Sequence, residues 1–215
     1  MQHVSIEAVE TSPSDGGADR RRLSDPLNAA AVAINHYELG PGERLAGLHA
    51  HTDQEEVFVV SEGTVTFETW TPAGGSARPH EEAVTDGLAT GGGTGENGTG
   101  DEVTVRAGEA IRFAPGEFQS GTNDADNETT AVLAFGAPRE GGAVRVPLAC
   151  PDCGHASRRP DASDGETPVL VCPNCDGERD ATCPECRSEA MTAVLADDRT
   201  AVIGVCRDCG AKVWA

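Results

Sequence analysis

GERLAGLHAHTDQEEVFVVSEG, Gly42–Gly63, is the stretch on which the fold turns. His49 and His51 stand two residues apart, and on a β-strand such residues share a face because successive side chains alternate sides. Together they make a two-imidazole claw. The run Glu56, Phe58, Val60 alternates as well, so a short turn after His51 returns the Glu56 carboxylate to the same face. Glu55 has the opposite parity and is expected to point outward. Two neutral imidazoles and one carboxylate form a facial triad that suits Fe(II) and also serves Mn, Ni, Co or Zn. These residues indicate a metal site and leave the substrate unnamed.

The flanking sequence reads as more strands punctuated by turns. Ala31–Leu39, AVAINHYEL, alternates Val32, Ile34 and His36 on one face with Ala33, Asn35 and Tyr37 on the other, and Gly40-Pro41-Gly42 closes it. His36 is read as a half-buried, structurally satisfied histidine, with a pocket role as the competing reading. A turn at Ser61-Glu62-Gly63 leads into Thr64–Trp70, and a further strand is expected over Thr129–Phe135. Between them lies Gly108–Asn123, GEAIRFAPGEFQSGTN, with Ile111 and Phe113 alternating between turns at Gly108 and Pro115-Gly116. Short strands at this spacing, with no amphipathic helical period, predict an all-β barrel. Phe58, Phe67, Phe113, Phe118 and Phe135 are candidate core residues, or lining of a pocket.

The two segments together resemble the paired motifs of the cupin superfamily. In the first, a glycine precedes the His-x-His pair, the glutamate follows, and a second glycine closes; only Gly42 departs, lying one residue further from His49 than usual. In the second, the position that usually holds a third histidine holds Gln119, with Asn123 four residues beyond, and Pro115 directly adjoins Gly116. The resemblance implies a mainly β chain whose barrel is a cupin double-stranded β-helix with its ligands pointing inward. It implies His49, His51 and Glu56 as ligands of one divalent transition metal, Fe, Mn, Ni or Zn. Cupin-type sugar isomerases use a glutamine ligand, so Gln119 either completes the set through its amide oxygen or hydrogen-bonds a metal-bound water or ligand.

The barrel is assigned to residues 28–146. Residues 1–27 mix Ser, Asp, Gly and Pro with the run Arg20-Arg21-Arg22; they are expected to be loose, apart from an edge strand over Val4–Val9. The arginines are read as a solvated surface feature, with a partner-binding patch as the alternative. From residue 71 to 100 the chain is rich in Gly and Pro and poor in apolar residues, so a mobile insertion is expected there, as a solvated loop or as a lid. His80 lies within it and is expected to be exposed.

All eight cysteines fall behind residue 149 in four Cys-x2-Cys pairs: Cys150 and Cys153, Cys172 and Cys175, Cys183 and Cys186, Cys206 and Cys209. The spacers within each half are 18 and 19 residues, and the halves repeat at an offset of 33 to 34. A Cys-x2-Cys turn presents two thiolates, and a hairpin-length spacer brings a second turn alongside, which is the pattern of a four-cysteine zinc site. The halves, residues 150–180 and 181–215, resemble two tandem zinc ribbons. Units this small bury too little surface to fold alone, so two structural Zn2+ ions are expected to supply the folding energy. Joining the second pair to the third would leave an outer pairing over a long loop, and His155 could replace a cysteine only where the count was short.

Composition limits what such a chain can do. Its 215 residues carry 36 acidic and 16 basic side chains, a formal charge of −20, and a single lysine, Lys212. A surface so acidic repels itself in dilute buffer and is tolerable where salt screens it, so the expected setting is a salty cytoplasm, as in haloarchaea. This field disfavours nonspecific nucleic-acid binding and anionic membranes. No apolar signal-like segment and no run of the roughly 18 apolar residues needed for a membrane helix is present, so a cytoplasmic location is expected. Two functions remain: a mononuclear metalloenzyme acting on a small molecule of unknown identity, or a sensor or adaptor whose ribbons contact a protein partner or a second copy of the chain. No independent base or nucleophile specifies an isomerase over a dioxygenase.

Overall fold

The computed structural model describes residues 1–73, 93–95, 98–162 and 167–213. Apart from one 3-10 turn at Ile6–Ala8, every regular element among the described residues is a strand. The first are β1 (Thr11–Pro13), β2 (Asp19–Arg22), β3 (Ala33–Leu39), β4 (Ala50–His51), β5 (Glu55–Glu62) and β6 (Thr64–Pro72). Then follow β7 (Gly93–Gly95), β8 (Gly98–Arg106), β9 (Ala110–Phe113), β10 (Phe118–Thr122), β11 (Thr130–Ala137) and β12 (Val144–Arg145). A six-stranded sheet runs β1-β2-β3-β11-β5-β9, a four-stranded sheet runs β10-β6-β8-β7, and β12 pairs with β4.

Alternation along β5 places the site. Phe58 and Val60 are buried between the sheets while Glu55 is held at the outer surface by Arg112, whose Nε donates to its carboxylate at 2.6 Å. Leu39, Val65, Phe67, Phe113 and Val132 complete the core around them. Phe58, Phe67 and Phe113 meet with ring centroids 5.2, 5.5 and 6.1 Å apart, within the range in which aromatic pairs add about 0.5–1.5 kcal/mol beyond area burial. Phe118 belongs to a second cluster, whereas Phe135 is only half-buried.

The N-terminal expectation is corrected. Within residues 1–27 the strands β1 and β2 extend the six-stranded sheet by antiparallel pairing to β3, and the Val4–Val9 edge strand is replaced by the 3-10 turn. The arginine run is therefore part of the sheet: Arg20 lies opposite Tyr37, and Arg21 lies opposite His36 and forms an ion pair with Glu38 at 2.7 Å. The ends of the 71–100 segment are also strand, since β6 and β8 pair as far as Pro72 opposite Gly98. Most of its remainder, His80 included, lies outside the described residues, and so does the question of a lid.

Two small three-stranded sheets follow the barrel. The first comprises β13 (Arg159–Asp161), β14 (Val169–Val171) and β15 (Glu178–Asp180). The second comprises β16 (Met191–Leu195), β17 (Val202–Cys206) and β18 (Lys212–Val213). Both pack on the barrel. Leu48, Ala50, Trp70 and Phe118 from the barrel join Leu170 of the first unit and Ala193, Leu195 and Val202 of the second in one buried cluster. The Leu48 amide donates to the Ala193 carbonyl at 2.7 Å, and Arg199 forms an ion pair with Glu102.

Candidate metal centres and the barrel cavity

The three predicted barrel donors converge. One ligand atom each from His49, His51 and Glu56 lie within 4.8 Å of one another. Register explains this: the β4 end carries the histidines, while Glu56 sits on the inner face of β5 opposite Phe113. The Nδ1 of His49 is 2.7 Å from the Gly47 carbonyl; the ring must donate there, which leaves Nε2 with its lone pair free for a metal. His51 Nε2 stands 3.6 Å from Glu56 Oε1. Burial lowers the His51 pKa; the Glu56 carboxylate opposes this and His49 adds to it, and the net result favours the neutral, ligating ring.

Gln119 is beside them. It is 2% exposed, its backbone exchanges two hydrogen bonds with His49 at 3.1 and 2.9 Å, and its amide Nε2 donates to Glu56 Oε2 at 3.0 Å. With the amide nitrogen committed to the carboxylate, the amide oxygen is the end left to face a ligand. His36 is half-buried as expected and lies on the outer face, away from the cavity, with its Nδ1 buried without a partner among the described residues.

The triad opens into a cavity of about 520 Å³, a size that fits a small molecule. Its polar lining includes Arg20, Asn35, Tyr37 and Gln54 besides the triad. Its apolar wall comes partly from the cysteine-bearing units, through Pro160, Leu170, Ala181, Met191 and Ala193. Sequence reading did not assign any of these to the site. Tyr37 had the correct parity, but the approach of the C-terminal units has no local signature.

The eight cysteines form the two expected clusters, Cys150, Cys153, Cys172, Cys175 and Cys183, Cys186, Cys206, Cys209. Sulfur atoms pair at 3.7 and 3.6 Å in the first and at 3.6 Å twice in the second. A tetrahedron with Zn–S of about 2.3 Å has edges of about 3.8 Å, so both clusters fit zinc ribbons. First pairs with second and third with fourth. His155 stays out of the cluster, its Nδ1 turned to the Ser157 backbone. Although the Gly177 amide pulls Cys175 down, the thiols of Cys153, Cys172 and Cys150 push it up to about 12. Four sulfurs this close ionise together only around a cation.

No protein-family model matches the sequence, and no curated protein matches it significantly. Solved structures do resemble it. A candidate sugar phosphate isomerase from Acidithiobacillus ferrooxidans is 18% identical at a TM-score of 0.50, covering 79% of this chain and 90% of that one. A sugar phosphate isomerase of the cupin superfamily from Silicibacter pomeroyi is 16% identical at a TM-score of 0.44, covering 93% and 99%. A Klebsiella pneumoniae protein with a double-stranded β-helix domain is 16% identical at a TM-score of 0.42, covering 66% and 94%. At such identities the likeness is one of fold: the described chain is nearly all β, a cupin-like barrel followed by two small units whose cysteines fit zinc ribbons.

Proposed function

We propose that the barrel holds one divalent transition metal, Fe, Mn, Ni or Zn, on His49, His51 and Glu56, and uses it to bind and transform a small molecule in the adjoining cavity. The observation that carries this is the convergence of three metal donors at the wall of a cavity of about 520 Å³. A metal held by three protein donors keeps coordination positions open, and it would supply Lewis-acid or oxygen-activating chemistry. The chain's own residues do the rest. Gly47 fixes the His49 tautomer, Gln119 orients Glu56, and the apolar ribbon residues exclude water from one side. Burial raises the Tyr37 hydroxyl above its usual range against the nearby Arg20, so it remains a proton donor at neutral pH. Two Zn2+ ions in the cysteine clusters would be structural, since four thiolates close the coordination sphere.

Elemental analysis tests the reading. The two cysteine clusters should hold about two Zn per chain and the barrel one further metal, and the His49→Ala, His51→Ala double variant should lose only the barrel metal. An unchanged metal content would sink the barrel site. A second reading, a sensor without catalysis, draws on the ribbon residues that line the cavity, because a bound ligand would then touch the units available to a protein partner or a second copy. In that case a partner recovered with the full chain would depend on the cavity ligand, and no turnover would accompany metal loading.

A further inference from the structure

The cavity has a second charged feature besides the metal donors. Arg20 on β2 lies directly opposite Tyr37 on β3, and opposed residues of an antiparallel pair project to the same face. Tyr37 packs against the barrel core, so Arg20 also faces inward, and both line the cavity with His49, His51 and Glu56. The guanidinium lies close enough to the Tyr37 hydroxyl to oppose the rise in its pKa, and its Nε is buried with no partner among the described residues. None of the ion pairs among the described residues includes Arg20, whereas its neighbour Arg21 is paired with Glu38. A guanidinium cannot shed its charge, and in the half-buried Arg20 no carboxylate compensates the desolvation of the buried Nε side. In a chain with 36 acidic and 16 basic residues a structural arginine would readily find a partner. The carboxylates lining the same cavity are Glu56, engaged by Gln119 and the metal site, and the exposed Asp15, which lies beyond ion-pair distance.

We propose that Arg20, opposite Tyr37 on the cavity wall, is an oxyanion anchor: it takes the carboxylate or phosphate of a small molecule whose remaining oxygens reach the metal triad. The second half of this statement rests on the metal reading above; the first half stands on Arg20 alone. Planar donors on a guanidinium match either oxyanion two bonds at a time, which a lone metal cannot do for a group at the far end of the ligand.

The test uses Co(II)-loaded full-length protein at fixed ionic strength and two pairs of 2-hydroxy acids. Malate differs from lactate by a remote carboxylate, and 3-phosphoglycerate differs from glycerate by a remote phosphate. The wild type should bind one anionic member about 10- to 100-fold more tightly than its partner, and the pair showing the larger ratio identifies the anion. In Arg20→Gln that ratio should collapse towards one with lactate and glycerate affinity unchanged, and Arg20→Lys should restore part of it. A wild type without preference in either pair, or an Arg20→Gln variant that weakens all four ligands alike, would overturn the anchor. The His49→Ala, His51→Ala protein separates the two readings, because inorganic phosphate or succinate should still bind it in an Arg20-dependent way. Arg20-independent binding there overturns the anchor even where Co(II) loads normally, and absence of Co(II) from the wild-type barrel overturns only the metal reading.

Discussion

Gln119 shows how one residue both marks and complicates the site. It occupies a histidine's expected place, and the structure turns its amide nitrogen onto Glu56 at 3.0 Å. Whether its oxygen meets the metal or a bound water, it fixes the carboxylate that does, and loss of such a partner typically costs 10- to 100-fold in metal affinity. Gln119→Leu, close in volume, should weaken the barrel metal by about that factor in a chelator competition while the ribbon zinc stays bound; unchanged affinity would make Gln119 mere packing. His36 gives a second reading at this scale. Burial lowers its pKa, with Glu38 opposing, Arg21 reinforcing and Glu62 opposing. The unfolded chain takes up the proton near 6.5 and the folded chain only at lower pH, so the unfolded state holds more protons in between. The folded state should therefore lose stability as pH falls from about 6.5 through the lowered value, and the loss is complete once both states are protonated. In His36→Gln this part of the pH–stability curve should flatten in denaturant titrations, and an identical curve would remove His36 from the account. Strand parity separated Glu56 from Glu55 in the sequence because apolar neighbours marked the inner face. It could not choose among Arg20, Arg21 and Arg22, where three like residues carry no alternation and only pairing to β3 decides which faces in.

At the scale of elements, the turn between the barrel core and β4 joins two parts of the molecule. Leu48 donates its amide to Ala193 of β16, and the preceding carbonyl, that of Gly47, takes the Nδ1 proton of His49. Gly47 is glycine because β16 comes so close: a Cβ there would lie 2.3 Å from Thr192 Oγ1 and 3.2 Å from the Ala193 amide nitrogen. Gly47→Ala must push β16 away or shift the carbonyl that orients His49. The expected result is a barrel metal weakened by about 10- to 100-fold with both ribbons still loaded, measured by the same chelator competition. Retained affinity would show that ribbon docking and the metal site are independent. Local spacing made the cysteine units legible, since four Cys-x2-Cys turns carry their own ligand geometry. The short strands β1 and β2 were not, because they have little apolar pattern of their own and owe their order to the edge of β3, a tertiary effect that propensity does not report.

For the whole molecule, the two units form an extension of the barrel wall and not a separate tail, since Leu170, Ala193, Leu195 and Val202 are buried against Leu48, Trp70 and Phe118. That docking brings together surfaces of a chain whose formal charge is −20. Long-range repulsion between barrel and ribbons opposes it, and with a Debye length of about 10 Å at 0.1 M salt and about 3 Å at 1 M, that repulsion fades steeply over this range. Ion pairs such as Arg199 with Glu102 pull the other way, but partly exposed pairs are worth roughly 0–1 kcal/mol each and lose little on screening compared with so large an acidic excess. Stability should therefore rise with salt: the melting temperature is expected to climb between 0.1 and about 2 M KCl, with most of the gain below about 1 M, where screening becomes shorter than the spacing of surface charges. Continued linear growth well beyond that point would indicate preferential exclusion of salt from the surface instead. A melting temperature that stays flat or falls as KCl rises would mean that the acidic surface is already balanced within the fold, and the salty setting inferred from its composition would lose its physical basis.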